Sequence, residues 1–222
     1  FASIFLNAAA HIQHHYMLSS SLIEGGGNPE WYIARGFDPV LEAYETYDRI
    51  VATIAARNPG MRLMIATGLH QDPCPVPIYY WRPTDHVALV KRLGISCRRV
   101  QPRMSRDFLL EFDDSRQAIE ASTRLAGITV NGVDKLFRID VRQNDIFVEV
   151  IYGMELKNSD FIQSAEGEHI ADDARSLFSF VAIKNGVHNQ EGYLIDTGAR
   201  IDDPEAIDVQ DVYKRIVECC SG

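Results

Sequence analysis

The sequence predicts an α/β protein: a mainly parallel core sheet flanked by helices, with a small strand-helix-hairpin subdomain inserted into it. Three observations predict this class. Residues 1–6 (FASIFL), 62–67 (RLMIAT) and 178–183 (FSFVAI) are short apolar runs with the texture of strands buried on both faces. Capped amphipathic patterns with helical spacing separate or follow these runs. Between residues 107 and 152 the texture changes to half-exposed strands that alternate apolar and polar, as antiparallel strands do. Residues 1–104 then form one part of the core, 105–160 the inserted α+β subdomain, and 161–222 the return to the core.

Taken in order, the run 1–6 stops at Asn7, and three alanines lead to His11, His14 and His15. Their i, i+3, i+4 spacing puts the imidazoles on one helix face. A strand would thus deliver an amide and a histidine cluster to its carboxyl end, where open α/β sheets build their sites. Asn7 and His11 are oxygen and nitrogen ligands suited to zinc or a similar divalent ion. The structural alternative is a histidine-rich turn that caps a helix or packs against its neighbour. Residues 19–29 (SSSLIEGGGNP) read as a polar linker or lid, and the run Gly25, Gly26, Gly27 lacks the spacing of a phosphate-binding loop.

Asp38-Pro39 marks a helix start, followed by the stripe Val40, Leu41, Tyr44, Tyr47, Val51 and Ile54, and Asn58-Pro59-Gly60 ends it. The run 62–67 leads into Gly68-Leu69-His70-Gln71, again a strand end with a histidine, with an exposed loop histidine as the alternative. Residues 72–77 (DPCPVP) read as an irregular loop and 78–81 as a short aromatic strand. Thr84 opens a helix through Leu93 that Gly94 closes. Residues 107–112 read as a strand, 115–125 as a helix, and 135–141 with 146–152 as a hairpin turning over 142–145. After the run 178–183, His188 sits on a glycine-flanked turn before a strand over 193–196. Residues 208–220 form a last amphipathic helix, with Val209, Val212, Ile216 and Val217 inward.

The chain has 222 residues, 46% of them hydrophobic, enough for a sizeable core, and a net charge of −9. That charge argues against a nucleic-acid backbone or an anionic membrane as the main partner. It leaves room for a small anionic substrate, because a bound metal reverses the sign of a pocket. No apolar run reaches the length of a membrane span. Cys74, Cys97, Cys219 and Cys220 lack CxxC spacing and fit a reducing compartment such as the cytoplasm. The chain opens at Phe1 inside an apolar run, so a piece of a longer protein is expected. A half-sheet with unpaired edges is prone to oligomerise.

Four motifs in this order resemble the C-terminal half of the alkaline phosphatase superfamily, in its type I phosphodiesterase, nucleotide pyrophosphatase and sulfatase-like branches. They are Asn7-(x)3-His11, where the family has Asp-(x)3-His; Tyr47-Asp48-Arg49-Ile50-Val51 followed by Thr67-Gly68, where it has Asp-His-Gly; Asn185-Gly186-Val187-His188-Asn189 with Glu191-Gly192-Tyr193; and Ile207-Asp208-Val209-Gln210-Asp211-Val212-Tyr213. The resemblance implies a metal-dependent hydrolase of phosphate or sulfate esters acting on a small anionic ester, with zinc or manganese as cofactor. It implies a metal site of Asn7, His11 and His188, with His15, His70 and Thr67 as additional candidates. It also implies a nucleophile on a segment upstream of Phe1. If the strands before His11 and His188 run parallel, the two imidazoles meet with ring nitrogens about 3–4 Å apart. The sequence departs from the family where Asn7 replaces a carboxylate and Thr67-Gly68 replaces Asp-His. Those departures suit the alternative of a catalytically degenerate member that binds a ligand or partner. A histidine-rich domain without a site is the third reading.

Overall fold

In the computed structural model of the chain, residues 1–24, 27–198 and 206–221 are described. Gly25 and Gly26, in the linker or lid expected over 19–29, lie outside them. The elements run α1 (Ala8–Tyr16), α2 (Pro39–Arg57), β1 (Met64–Ala66), β2 (His70–Pro83), α3 (His86–Arg92), β3 (Arg99–Pro102), β4 (Asp107–Glu111) and α4 (Ser115–Ala126). They continue as β5 (Thr129–Val130), β6 (Asp134–Lys135), β7 (Phe137–Arg142), β8 (Asp145–Val150), β9 (Ile162–Gln163), β10 (His169–Ala171), β11 (Phe178–Asn189), β12 (Leu194–Asp196) and α5 (Val209–Ser221). The chain divides into two compact units, residues 1–75 with 185–222, and residues 76–184.

The expected parallel α/β core is not what forms. The sheets are small, and the ladders β1–β12, β3–β4, β4–β8, β7–β8, β5–β6, β5–β9 and β9–β10 are all antiparallel. Residues 1–6 form no strand, and Phe1 and Phe5 are 88% and 87% exposed. An apolar run becomes a buried strand only when a neighbour covers it, and a six-residue run carries no periodicity that reveals the neighbour. Of 62–67, Met64–Ala66 pairs antiparallel with Leu194–Asp196 and is only partly buried. The run 178–183 is the first half of the long strand β11, whose partner is β2.

The proline-rich segment 72–77, expected as a loop, lies inside β2. Pro73, Pro75 and Pro77 alternate, so their missing N–H groups all fall on one edge of the strand. β2 belongs to a two-stranded sheet, so that edge owes no ladder bonds; a little further along, Tyr79 N donates from it to Gly153 O at 2.9 Å.

In the unit 76–184 the four-stranded sheet β3-β4-β8-β7 is the centre of the core. This is the segment expected as an inserted satellite. Phe108 and Leu110 of β4 and Ile146, Val148 and Val150 of β8 alternate inward and are all but fully buried. Asp114 caps α4 by accepting from Gln117 N at 2.9 Å, and Ala118, Ala121 and Leu125 turn into the same core as the sheet. A two-residue turn joins β7 to β8 with Gln143 at φ 55°, the left-handed region such turns require.

His86 is buried in this core beside Phe108, with ring centroids 5.4 Å apart, and its Nε2 has no hydrogen-bond partner. Burial, and secondarily the Arg82 charge, hold its pKa below the usual 6.5, against the opposing pull of Asp85. In the unfolded chain the imidazole takes up a proton more readily, so stability is full above about pH 6.5 and falls as the pH drops toward the lowered folded value. We expect His86→Leu to remove that acid sensitivity and to raise stability near neutral pH by about 1 kcal/mol, since the orphaned nitrogen goes with the ring. Denaturant melts at pH 7.0 and 5.0 check this; an unchanged pH slope would refute it.

Candidate functional site

In the unit formed by residues 1–75 and 185–222, α1 is tied down at several points. Tyr47 OH accepts from Ala9 N at 3.0 Å, and Gln13 Nε2 donates to Tyr44 OH at 2.9 Å, so two tyrosines of α2 hold its flank. Gln71 of β2 donates through Nε2 to Ala10 O at 2.8 Å. Asn185 of β11 is fully buried, and its Oδ1 accepts from Leu18 N at 3.0 Å and from Asn28 Nδ2 at 2.6 Å. Its Nδ2 donates back to Asn28 Oδ1 at 2.9 Å. Gly186 completes the fit: a Cβ there would lie 2.3 Å from Gln71 Oε1 and 3.2 Å from Gln13 O. Only a residue without a side chain lets α1 approach β11 this closely.

The approach brings two imidazoles together. His14 Nε2 lies 2.9 Å from His188 Nε2, with ring centroids 4.7 Å apart. His11 and His15 meet edge to face at 5.0 Å, and His15 continues to Tyr16 at 6.3 Å. The facing nitrogens form a hydrogen bond only when one carries a proton and the other does not, so the pair holds a single shared proton. The same two lone pairs suit one metal ion. With Zn–N near 2.0–2.1 Å, a tetrahedral ion separates its two nitrogens by about 3.3 Å, so the pair needs to open by only a few tenths of an ångström. The residues therefore fit a two-imidazole site that leaves further positions to water or substrate oxygen. Among the described residues no group of three or more His, Cys, Asp and Glu side chains is arranged around one metal position.

The other sequence candidates sit elsewhere. Asn7 is exposed at the start of α1, where its carbonyl accepts from His11 N at 3.2 Å and its side chain makes no capping bond. The ring that meets His188 is that of His14, while His11 is exposed and faces His15. Thr67 is used by its neighbour: Thr67 N donates to Tyr193 O and Tyr193 N to Thr67 Oγ1, both at 2.9 Å. A Cβ at Gly192 would come within 2.0 Å of Thr67 O, so the two segments are in close contact. His70 has Glu191 O at 2.8 Å from Nδ1 and Asp72 Oδ1 at 3.2 Å from Nε2, and Asn189 holds the other Asp72 oxygen at 2.9 Å. Both His70 nitrogens are thus already engaged by protein oxygens.

The fold and the site define a two-unit protein of mixed helices and small antiparallel sheets with an imidazole pair in its first unit. Compared with protein-family models, curated proteins and solved structures, the chain matches none. Among the described residues no helix is long and apolar enough to cross a membrane.

Proposed function

We propose that the first unit binds a divalent transition-metal ion, zinc or manganese, through His14 and His188, and that the chain acts in hydrolysis of small phosphate or sulfate esters in a reducing compartment. The observation that supports this most is the 2.9 Å approach of two imidazole nitrogens delivered by different elements. The ester chemistry comes from the motif resemblance. A bound ion would supply Lewis acidity toward an ester oxygen and a lowered pKa for coordinated water. His14 and His188 hold the ion, and α1, pinned by Gln71 and Asn185, fixes their spacing.

A second reading, ligand binding without turnover, is favoured by Thr67. Its amide and hydroxyl are both committed to Tyr193, so the segment that resembles the family's second ion site has its polar groups in use. Equilibrium dialysis with zinc and manganese tests the site. We expect one ion per chain, lost in His14→Ala and in His188→Ala and retained in His70→Ala. Retained binding in the first two variants would overturn the site. Turnover of 4-nitrophenyl phosphate, bis(4-nitrophenyl) phosphate and 4-nitrophenyl sulfate by the zinc-loaded chain then separates the readings. Binding without hydrolysis would leave the second.

A further inference from the structure

Independently of the histidine pair, the first unit builds a fixed positive charge beside a vicinal dithiol. Arg62 lies just before β1 and forks onto Asp196 of β12, with Nε to Oδ1 at 2.8 Å and Nη2 to Oδ2 at 2.6 Å. The Asp196 side chain is fully buried, so the guanidinium is anchored from below. Gly198 clears its path: a Cβ there would come within 2.3 Å of Arg62 Cδ. The anchored guanidinium also hydrogen-bonds Cys219 on α5, and Cys219 and Cys220 are adjacent, exposed and free.

We infer that Cys219 and Cys220 form a peroxide-responsive thiol pair, in which Cys219 is the attacking sulfur, Arg62 its positioning residue and Cys220 the resolving thiol. The oxidant class is hydrogen peroxide or an organic hydroperoxide. The Cys219 thiolate attacks one peroxide oxygen, the O–O bond breaks, and the departing oxygen takes a proton, leaving Cys219 sulfenic acid. The Arg62 fork supplies a donor and a positive charge where that anionic oxygen leaves. The Cys220 thiolate then attacks the Cys219 sulfur; an S–S bond forms and the oxygen leaves as water. Two thiols and one peroxide give one disulfide and two waters. Adjacent Cα atoms lie closer than disulfides favour, so the product is strained, readily reduced and suited to a reversible response. Forming it requires the last turn of α5 to leave helical geometry.

The test treats the full chain with hydrogen peroxide and follows each cysteine by peptide mass spectrometry, with Cys97 as internal reference. We expect the peptide carrying Cys219 and Cys220 to lose two hydrogens before Cys97 reacts, with reversal by dithiothreitol. Cys220→Ser should leave a Cys219 sulfenic acid that dimedone traps. Arg62→Gln should slow the reaction about tenfold relative to Cys97, with Arg62→Lys in between. Circular dichroism confirms that the variants fold, and the wild-type comparison with Cys97 stands even if they do not. Oxidation of Cys219 no faster than Cys97, or dimedone capture at Cys220 rather than Cys219, would overturn the inference, as would a folded Arg62→Gln chain with an unchanged rate.

Discussion

Gly186→Ala is expected to weaken zinc binding by the histidine pair at least tenfold while leaving the unit 76–184 as stable as before. The added Cβ would sit 2.3 Å from Gln71 Oε1, well inside contact distance, and 3.2 Å from Gln13 O. Gln71 has little room to yield, since it is 5% exposed and its Nε2 is committed to Ala10 O. The strain therefore passes to α1. A displacement of about 1 Å there spoils two-point ligation, because metal–nitrogen distances tolerate only about 0.2 Å. Equilibrium dialysis reads the affinity, and hydrogen exchange resolved by peptide reads the stability of 76–184. Undiminished zinc affinity in a folded Gly186→Ala chain would show that α1 does not set the spacing. A tenfold loss corresponds to about 1.4 kcal/mol, small against the stability of a unit and large against the geometry of a two-ligand site.

The individual elements were more legible in the sequence than the way they are assembled. Asp38-Pro39 announces α2, and the cap is there: Asp38 Oδ1 accepts from Leu41 N at 3.0 Å. The β7–β8 hairpin and α4 follow from alternation and helical period, signals written locally. The sheet directions follow from long-range pairing, which the apolar runs 1–6 and 62–67 do not encode. Three prolines masked β2, because proline punctuation overrides strand propensity unless the missing donors all fall on an unpaired edge. The site shows the same division. His188 stands out by its glycine-flanked context and the histidines of α1 by their spacing. The choice of His14 over His11 depends on which face of α1 meets β11. That face is set by Asn185 and Gln71, buried amides whose partners lie up to 167 residues away in sequence. A polar residue inside an apolar strand, such as Asn185 in FSFVAIKNGVHN, is the available sequence signal for such an anchor.

Phe108→Ala is expected to cost about 3–5 kcal/mol, the range for emptying an aromatic site in a packed core. Phe108 has no exposed surface and pairs with Val148 in the centre of the β3-β4-β8-β7 sheet. Its ring packs edge to face on His86 at 5.4 Å and on Phe137 at 6.4 Å, so its loss removes a contact shared by α3, β4 and β7. Neighbours in a β-ladder collapse poorly into the space, because the backbone register holds them. Domains carry only about 5–15 kcal/mol in all, so the variant should bring the unit 76–184 to the edge of unfolding at 37 °C. The adjacent Leu109 is the internal control. It points to the opposite face of the sheet and is only half-buried, so Leu109→Ala should cost about 1 kcal/mol. Denaturant midpoints read by hydrogen exchange of peptides from 76–184 compare the two. Equal losses would mean that the helix-covered face of the sheet is not where the stabilising burial lies, since one step along β4 moves a side chain from that face to the other.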